Sequence, residues 1–348
     1  MNQRPEKKSP VSAPEKLLSI EVTRRCNLNC LHCFVRGDIN EQSSLPFMLV
    51  KDILTEGYDT GYRHLHITGG EPFLWKNLFE ALEYALDLGY QTVLINTNGL
   101  MLSKDVCREL ADHDVVLLSV SMDGSEQFHN RLRGEDTHNR TVRGIENTLN
   151  ASMAPIIFTT VYKCLLSELP NFAEDLFGRF PAIKHLSLIP IIPATHNGFP
   201  LSEELLEPED FVRLVRTVSF LNVFGFKIEV LNEPLVNVVS NLLEMPWFKP
   251  SVPINQKGNI IVMANRMIGL SHFNRTFFGR YAPGMIANVL TSDAYKKSLL
   301  PDESTCPSCK FQNTCLENGM LQPSQSYGKG YRKEPYCRRV LNGALQKR

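Results

Sequence analysis

The sequence predicts an α/β protein with a parallel sheet, followed by a smaller module of different character. Three observations carry this. Six short apolar, β-branched runs recur between Leu17 and Ile191, longer stretches of helical periodicity follow them, and a cysteine-rich, turn-rich stretch runs from Pro301 to Arg339.

The elements can be justified in order. Residues 1–15 are charged and proline-rich and predict a disordered tail. The strands are LLSIEVT (Leu17 to Thr23), HLHIT (His64 to Thr68), TVLINT (Thr92 to Thr97), VVLLSVS (Val115 to Ser121), IIFTTVY (Ile156 to Tyr162) and HLSLIPI (His185 to Ile191). Helical patterns include LFEALEYALDLG from Leu78 and EDFVRLVRTVSFLNVFG from Glu209; Pro208 introduces the second, and glycine stops both. Repeated right-handed crossovers give either an open doubly wound sheet or a partial barrel, and periodicity does not choose between them. Past residue 235 the rhythm changes: LVNVVSNLLEMPWF reads as helix and GNIIVMA as a short strand. The expected organisation is a tail (1–15), a core (16–235), a second module (236–340) and a tail (341–348).

Lys+Arg and Asp+Glu both number 37, so no global field steers nucleic acid to this chain. No run of about 18 apolar residues suggests a membrane span, and no signal peptide is legible. The expectation is a soluble cytoplasmic protein, with thiols that read as metal ligands before disulfides.

Seven of the nine cysteines form two sets. Cys26, Cys30 and Cys33, in CNLNCLHC, directly follow the first strand, at the carboxyl end of the sheet where α/β enzymes build their sites. Three thiolates around a cubane [4Fe–4S] cluster leave one iron without a protein ligand, and Phe34 can shield the cluster from water. A zinc site with His32 as fourth ligand is the alternative. Three further strands run into Gly69-Gly70-Glu71-Pro72, Thr97-Asn98-Gly99 and Ser121-Met122-Asp123-Gly124. Glycines there let a ligand approach the backbone, Glu71 offers a carboxylate to an ammonium group, and Asn98, Ser121 and Asp123 offer hydrogen bonds.

On these residues the chain resembles the radical SAM superfamily: CNLNCLHC matches its cluster-binding motif and TGGEP its S-adenosylmethionine (SAM) motif. The resemblance implies a partial (β/α)6 TIM-like barrel in which SAM chelates the open iron and is cleaved reductively to a 5′-deoxyadenosyl radical that abstracts a substrate hydrogen. It implies that Gly69, Gly70 and Glu71 hold the SAM amino group and that Ser121 and Arg143 hold its carboxylate, with Asn98 and Asp123 in the same site. An electron donor such as flavodoxin or ferredoxin is implied as a partner.

Cys306, Cys309, Cys315 and Cys337 resemble part of a SPASM/twitch-like auxiliary-cluster domain, over roughly residues 255–340. Gly319 stands where the family has a further cysteine, and GNIIVMANRMIGL carries none. One set of ligands is missing and the other complete, which implies a single auxiliary Fe–S cluster of [4Fe–4S] type; structural zinc is the alternative. Cys107 and Cys164 read as packing residues.

For the substrate, the loop from Pro193 to Pro200 offers His196 and Asn197, and Trp247 offers a pocket cap or a buried anchor. FHNRLRG places His129, Arg131 and Arg133 beyond the fourth strand, as further substrate candidates or as a helix start held by surface charges. Lys329, Arg332, Lys333, Arg338 and Arg339 offer attraction to an acidic leader peptide. Three functions follow: a peptide or protein maturase, which leads; a small-molecule dehydrogenase or decarboxylase acting on a sugar or tetrapyrrole; and a non-catalytic metal-binding scaffold.

Overall fold

The computed structural model describes residues 16–191, 201–231, 233–245, 247–248, 258–270, 272, 276–299, 310–311 and 340–343. Cys306, Cys309, Cys315 and Cys337, the loop carrying His196 and Asn197, and the basic C-terminal stretch lie outside them.

Seven parallel strands form the centre of one sheet: β1 (Leu17–Thr23), β2 (His64–Gly69), β3 (Thr92–Thr97), β4 (Val116–Ser121), β5 (Ile156–Val161), β6 (Leu186–Pro190) and β7 (Ile228–Val230). Their spatial order is their sequence order. That settles the choice periodicity left open. A doubly wound sheet reverses direction at a switch point, whereas a sequential order with right-handed crossovers keeps every helix on one face and curls the sheet toward a barrel.

The helices following β1 to β7 are α1 (Phe47–Asp59), α2 (Leu78–Leu88), α3 (Lys104–Ala111), α4 (Glu126–Arg133), α5 (Thr137–Asn150), α6 (Lys163–Arg179), α7 (Pro208–Val223) and α8 (Pro234–Leu242). α2 ends at Gly89, which adopts the left-handed conformation (φ 96°) that glycine permits without strain. The helices pack on Leu18, Ile20, Val22, Leu65, Ile67, Val93, Ile95, Leu118 and Val120, all buried in one continuous core. Each such side chain contributes about 1.5–3 kcal/mol on burial.

The sheet continues beyond residue 235. β8 (Ile260–Val262) pairs parallel with the free side of β1, Leu18 opposite Ile260, and β9 (Met267–Gly269) and β10 (Phe277–Arg280) follow antiparallel. α9 (Met285–Thr291) and α10 (Asp293–Ser298) close the described part. Glu56 of α1 accepts the Gly284 and Ile286 amides at 3.1 and 2.7 Å, fixing the start of α9 to the barrel's outer layer. Among the described residues the sheet runs from β7 on one side to β10 on the other, and these two strands are not paired with each other. No helix among the described residues is long and apolar enough to cross a membrane.

Candidate active site

The carboxyl ends of β1 to β4 converge on the three-cysteine loop. Cys26 is buried and Cys30 and Cys33 half-buried. The loop turns on a Cys33 amide bond to the Cys30 carbonyl (3.1 Å) and is held from three sides. Gly70 and Glu71 donate their amides to the Thr23 and Arg25 carbonyls at 2.7 and 2.8 Å. The Asn98 side-chain amide lies 3.9 Å from the Cys26 sulfur and donates to Asn27 Oδ1 at 2.7 Å. The Leu31 amide donates to the Leu132 carbonyl at the end of α4 (2.9 Å).

The glycines of TGGEP admit this loop. A Cβ on Gly70 would stand 2.5 Å from the Arg24 and Arg25 carbonyl oxygens, and one on Gly69 would strike the Thr23 carbonyl. Gly70→Ala is therefore expected to cost about 1–3 kcal/mol by overpacking. Because the displaced backbone carries Cys26, iron uptake on reconstitution should fall with the melting temperature; colorimetric iron analysis and thermal denaturation check both.

Glu71 is fully buried and caps a short 3₁₀ turn (Pro72–Leu74). Oε1 accepts from the Phe73 amide (3.2 Å) and Thr97 hydroxyl (2.9 Å), and Oε2 accepts from the Asn98 amide (2.9 Å). Its carboxylate thus ties the end of β2 to the end of β3. Burial raises its pKa to about 7 against the pull of those donors. Ser121 is half-buried at the end of β4, and Arg143 is exposed on α5.

Asp123 is buried beside them. Arg133 Nε lies 2.6 Å from its Oδ2, His32 Nε2 3.6 Å from the same oxygen, and the Thr160 amide donates to Oδ1 at 2.7 Å. Burial alone would raise its pKa; Arg133, with His32 and His129, holds it down to about 2. His129 is thus buried and Arg133 largely so, its side chain 10 % exposed, and the surface-charge reading of FHNRLRG is corrected for both: α4 turns them under the sheet end, and of the three only Arg131 faces out.

The site chemistry fits a cluster. Burial pushes the thiols of Cys26 and Cys30 up to about 11 and about 12, aided by the neighbouring cysteines, so they become thiolates when a metal supplies the compensating charge. His32 stands inside the loop between Cys30 and Cys33. Its Nε2 meets Arg133 (3.4 Å) and Asp123, while burial lowers its pKa to about 4 and leaves its buried Nδ1 without a hydrogen-bond partner among the described residues. An orphaned polar atom inside the cysteine loop suits a ligand carried on the cluster. Among the described residues no three Cys, His, Asp or Glu side chains converge on a single-ion site.

A second set of polar residues escaped the sequence reading. Ser19, His66, Asn96, Ser119, Ser187 and Glu229 alternate with the core residues and face away from the helices. Ser19 Oγ meets His66 Nδ1 at 3.1 Å, and Ser187 donates to Glu229 at 2.7 Å. His66 Nε2, Asn96 Oδ1 and Ser119 Oγ are buried without partners among the described residues. The signal was available, since parallel strands covered on both faces normally read as continuous apolar runs, and these do not. Glu21, on the same face of β1, is buried against His272 Nε2 (2.8 Å) and Arg24 Nε (3.0 Å). The His272 ring lies 5.8 Å from that of Phe34, which is 40 % exposed.

Three other expectations fare differently. Cys107 packs in the core. Cys164, read as a packing residue, is exposed, because the first turn of α6 faces it outward, where its Sγ lies 3.2 Å from Glu204 Oε1. Trp247 is exposed and not a buried anchor.

Comparison with known proteins agrees with this geometry. A family model for the radical SAM superfamily matches residues 20–164. A probable GTP 3′,8-cyclase of Methanopyrus kandleri is 30% identical over 61% of this chain and 71% of its own length. The AdoMet-dependent heme synthase of Methanosarcina barkeri is 36% identical over 46% of each chain, and the mycofactocin maturase MftC of Mycolicibacterium smegmatis is 30% identical over 47% of this chain and 42% of its own. The chain spans between 42% and 71% of the length of these curated relatives. In fold it resembles native anSMEcpe with bound AdoMet, with a TM-score of 0.71 and 17% identity, covering 95% of this chain and 96% of that one.

Proposed function

The chain belongs to the radical SAM superfamily, and from that premise we propose that it is a peptide or protein maturase with a [4Fe–4S] cluster on Cys26, Cys30 and Cys33. Cluster and SAM together supply the radical that abstracts a substrate hydrogen. The residues of this chain do the rest. The backbone of Gly69 to Glu71 receives the SAM amino group, with Glu71 bracing it from behind, while Ser121 and Arg143 receive the carboxylate. Asn98 and Asp123 hold the surrounding loops. The second module (236–340) carries one auxiliary cluster on Cys306, Cys309, Cys315 and Cys337.

One observation carries the choice of substrate. The inward positions of β1 to β7 present hydroxyl, amide and imidazole groups, two carboxylates (Glu21 and Glu229) and apolar side chains, and none of them is Lys or Arg. A triphosphate or a polycarboxylate porphyrin would enter such a face with its charge uncompensated, at a high desolvation cost. A peptide backbone presents neutral donors and acceptors that match it. Similarity to the mycofactocin maturase supports the same reading.

The test is anaerobic reconstitution with dithionite and SAM, following 5′-deoxyadenosine in the presence of the peptide encoded beside the gene, GTP or an iron porphyrin. The peptide should stimulate turnover and change mass. Stimulation by GTP or the porphyrin alone would replace the maturase reading with a small-molecule one, and no cleavage with any of the three would remove the enzyme reading.

A further inference from the structure

Arg133 has no assigned part in the proposed chemistry, yet the surroundings of its pair with Asp123 are unusual for a structural ion pair. Arg133 is the last residue of α4, and the residue before it accepts the Leu31 amide in the middle of the cysteine loop (2.9 Å). Its guanidinium reaches Asp123 through Nε at 2.6 Å and meets His32, midway between Cys30 and Cys33, through Nη2 at 3.4 Å. The cation is thus fixed by a buried carboxylate and meets the cysteine loop at the His32 ring, which Asp123 Oδ2 also approaches, at the slightly longer 3.6 Å. Two of its five donors serve these contacts, leaving three for further acceptors.

We propose that Arg133 is a positioning and electrostatic residue for the three-cysteine cluster: Asp123 anchors its guanidinium beside Cys30 and Cys33, where it favours the reduced cluster. The inference rests on the cluster reading given above. Each electron added to a thiolate-bound iron–sulfur centre increases its negative charge, and in a buried site a fixed neighbouring cation lowers the cost. Arg suits the task because it stays charged and its planar fork binds Asp123 while leaving an edge for sulfur. Asp123 acts in the opposite electrostatic sense, so the net effect depends on the guanidinium being the nearer of the two charges to the loop.

That opposition supplies the test. The full-length protein is reconstituted anaerobically, and the midpoint potential of the SAM-responsive electron paramagnetic resonance signal is measured for wild type, R133Q, R133K and D123N. R133Q should lower the reduced fraction at fixed potential at least tenfold, a shift of about 59 mV for one electron. D123N should shift the potential the other way, and R133K should stay near wild type. A merely structural pair would move R133Q and D123N in the same direction or neither, and either result overturns the inference while leaving the cluster in place. Should R133Q fail to hold its cluster, D123N against R133K decides, a potential no higher in D123N overturning the proposal. A wild-type chain that takes up no iron at Cys26, Cys30 and Cys33 overturns the cluster reading and this inference together.

Discussion

Replacing Cys26, Cys30 and Cys33 together by alanine is expected to reduce dithionite-dependent 5′-deoxyadenosine formation to background, a fall of ~10³-fold or more given the size of enzymatic accelerations. No other described cysteine is placed to substitute: Cys107 is sealed in the core, and Cys164 is engaged by Glu204 at the start of α6. Iron should fall from about seven to eight atoms per chain, the content of two cubane clusters, to about four. Loss of all iron would mean that the C-terminal cysteines depend on the barrel cluster. Cleavage that survived the triple substitution would show that the triplet is not the reactive centre.

The second large effect concerns stability. Asp123→Ala in the cluster-free protein is expected to cost about 3–5 kcal/mol, because it leaves the Arg133 guanidinium buried without its counter-charge. Asp123→Leu with Arg133→Met should recover most of that loss, since apolar replacement of a whole buried pair is often neutral. Urea unfolding at neutral pH checks both. The pH dependence has a definite sign. Asp123 titrates near 2 when folded against an ordinary 3.8, so its contribution is present above about pH 3.8 and is lost as pH falls through 2. Glu71 behaves oppositely: its folded pKa of about 7 exceeds the ordinary 4.5, so its contribution is complete below 4.5 and lost as pH rises through 7. The stability gap between wild type and Asp123→Asn should therefore hold steady from pH 5 to 8 and shrink only in strong acid. Wild type should lose ground to Glu71→Gln between pH 4.5 and 7.

Much of the barrel was legible because its signals are local. β1 and β3 have the bounds their apolar runs predict, and the other four anticipated strands differ only at their ends. β7 was missed because three residues, Ile228–Val230, carry no readable alternation. The pairing of β8 with β1 joins residues some 240 positions apart, which no local pattern encodes. At the site, residue types were readable and directions were not. Glu71 suggested a carboxylate facing a ligand, while three donors turn it to the strand ends; Arg133 suggested a solvated charge, while α4 carries it to Asp123. Burial and orientation arise from tertiary packing, and a single chain read in order contains them only implicitly.

The pairing of β8 with β1 also sets a timetable. β1, which delivers the cysteine loop, is an inner strand of the finished sheet, but one of its two neighbours is synthesised some 240 residues after it. While some 240 residues are translated, one side of that strand carries bare amides and carbonyls, the condition under which strands recruit foreign partners. A nascent polypeptide stalled before Ile260 would present its three-cysteine loop on a sheet margin open to association.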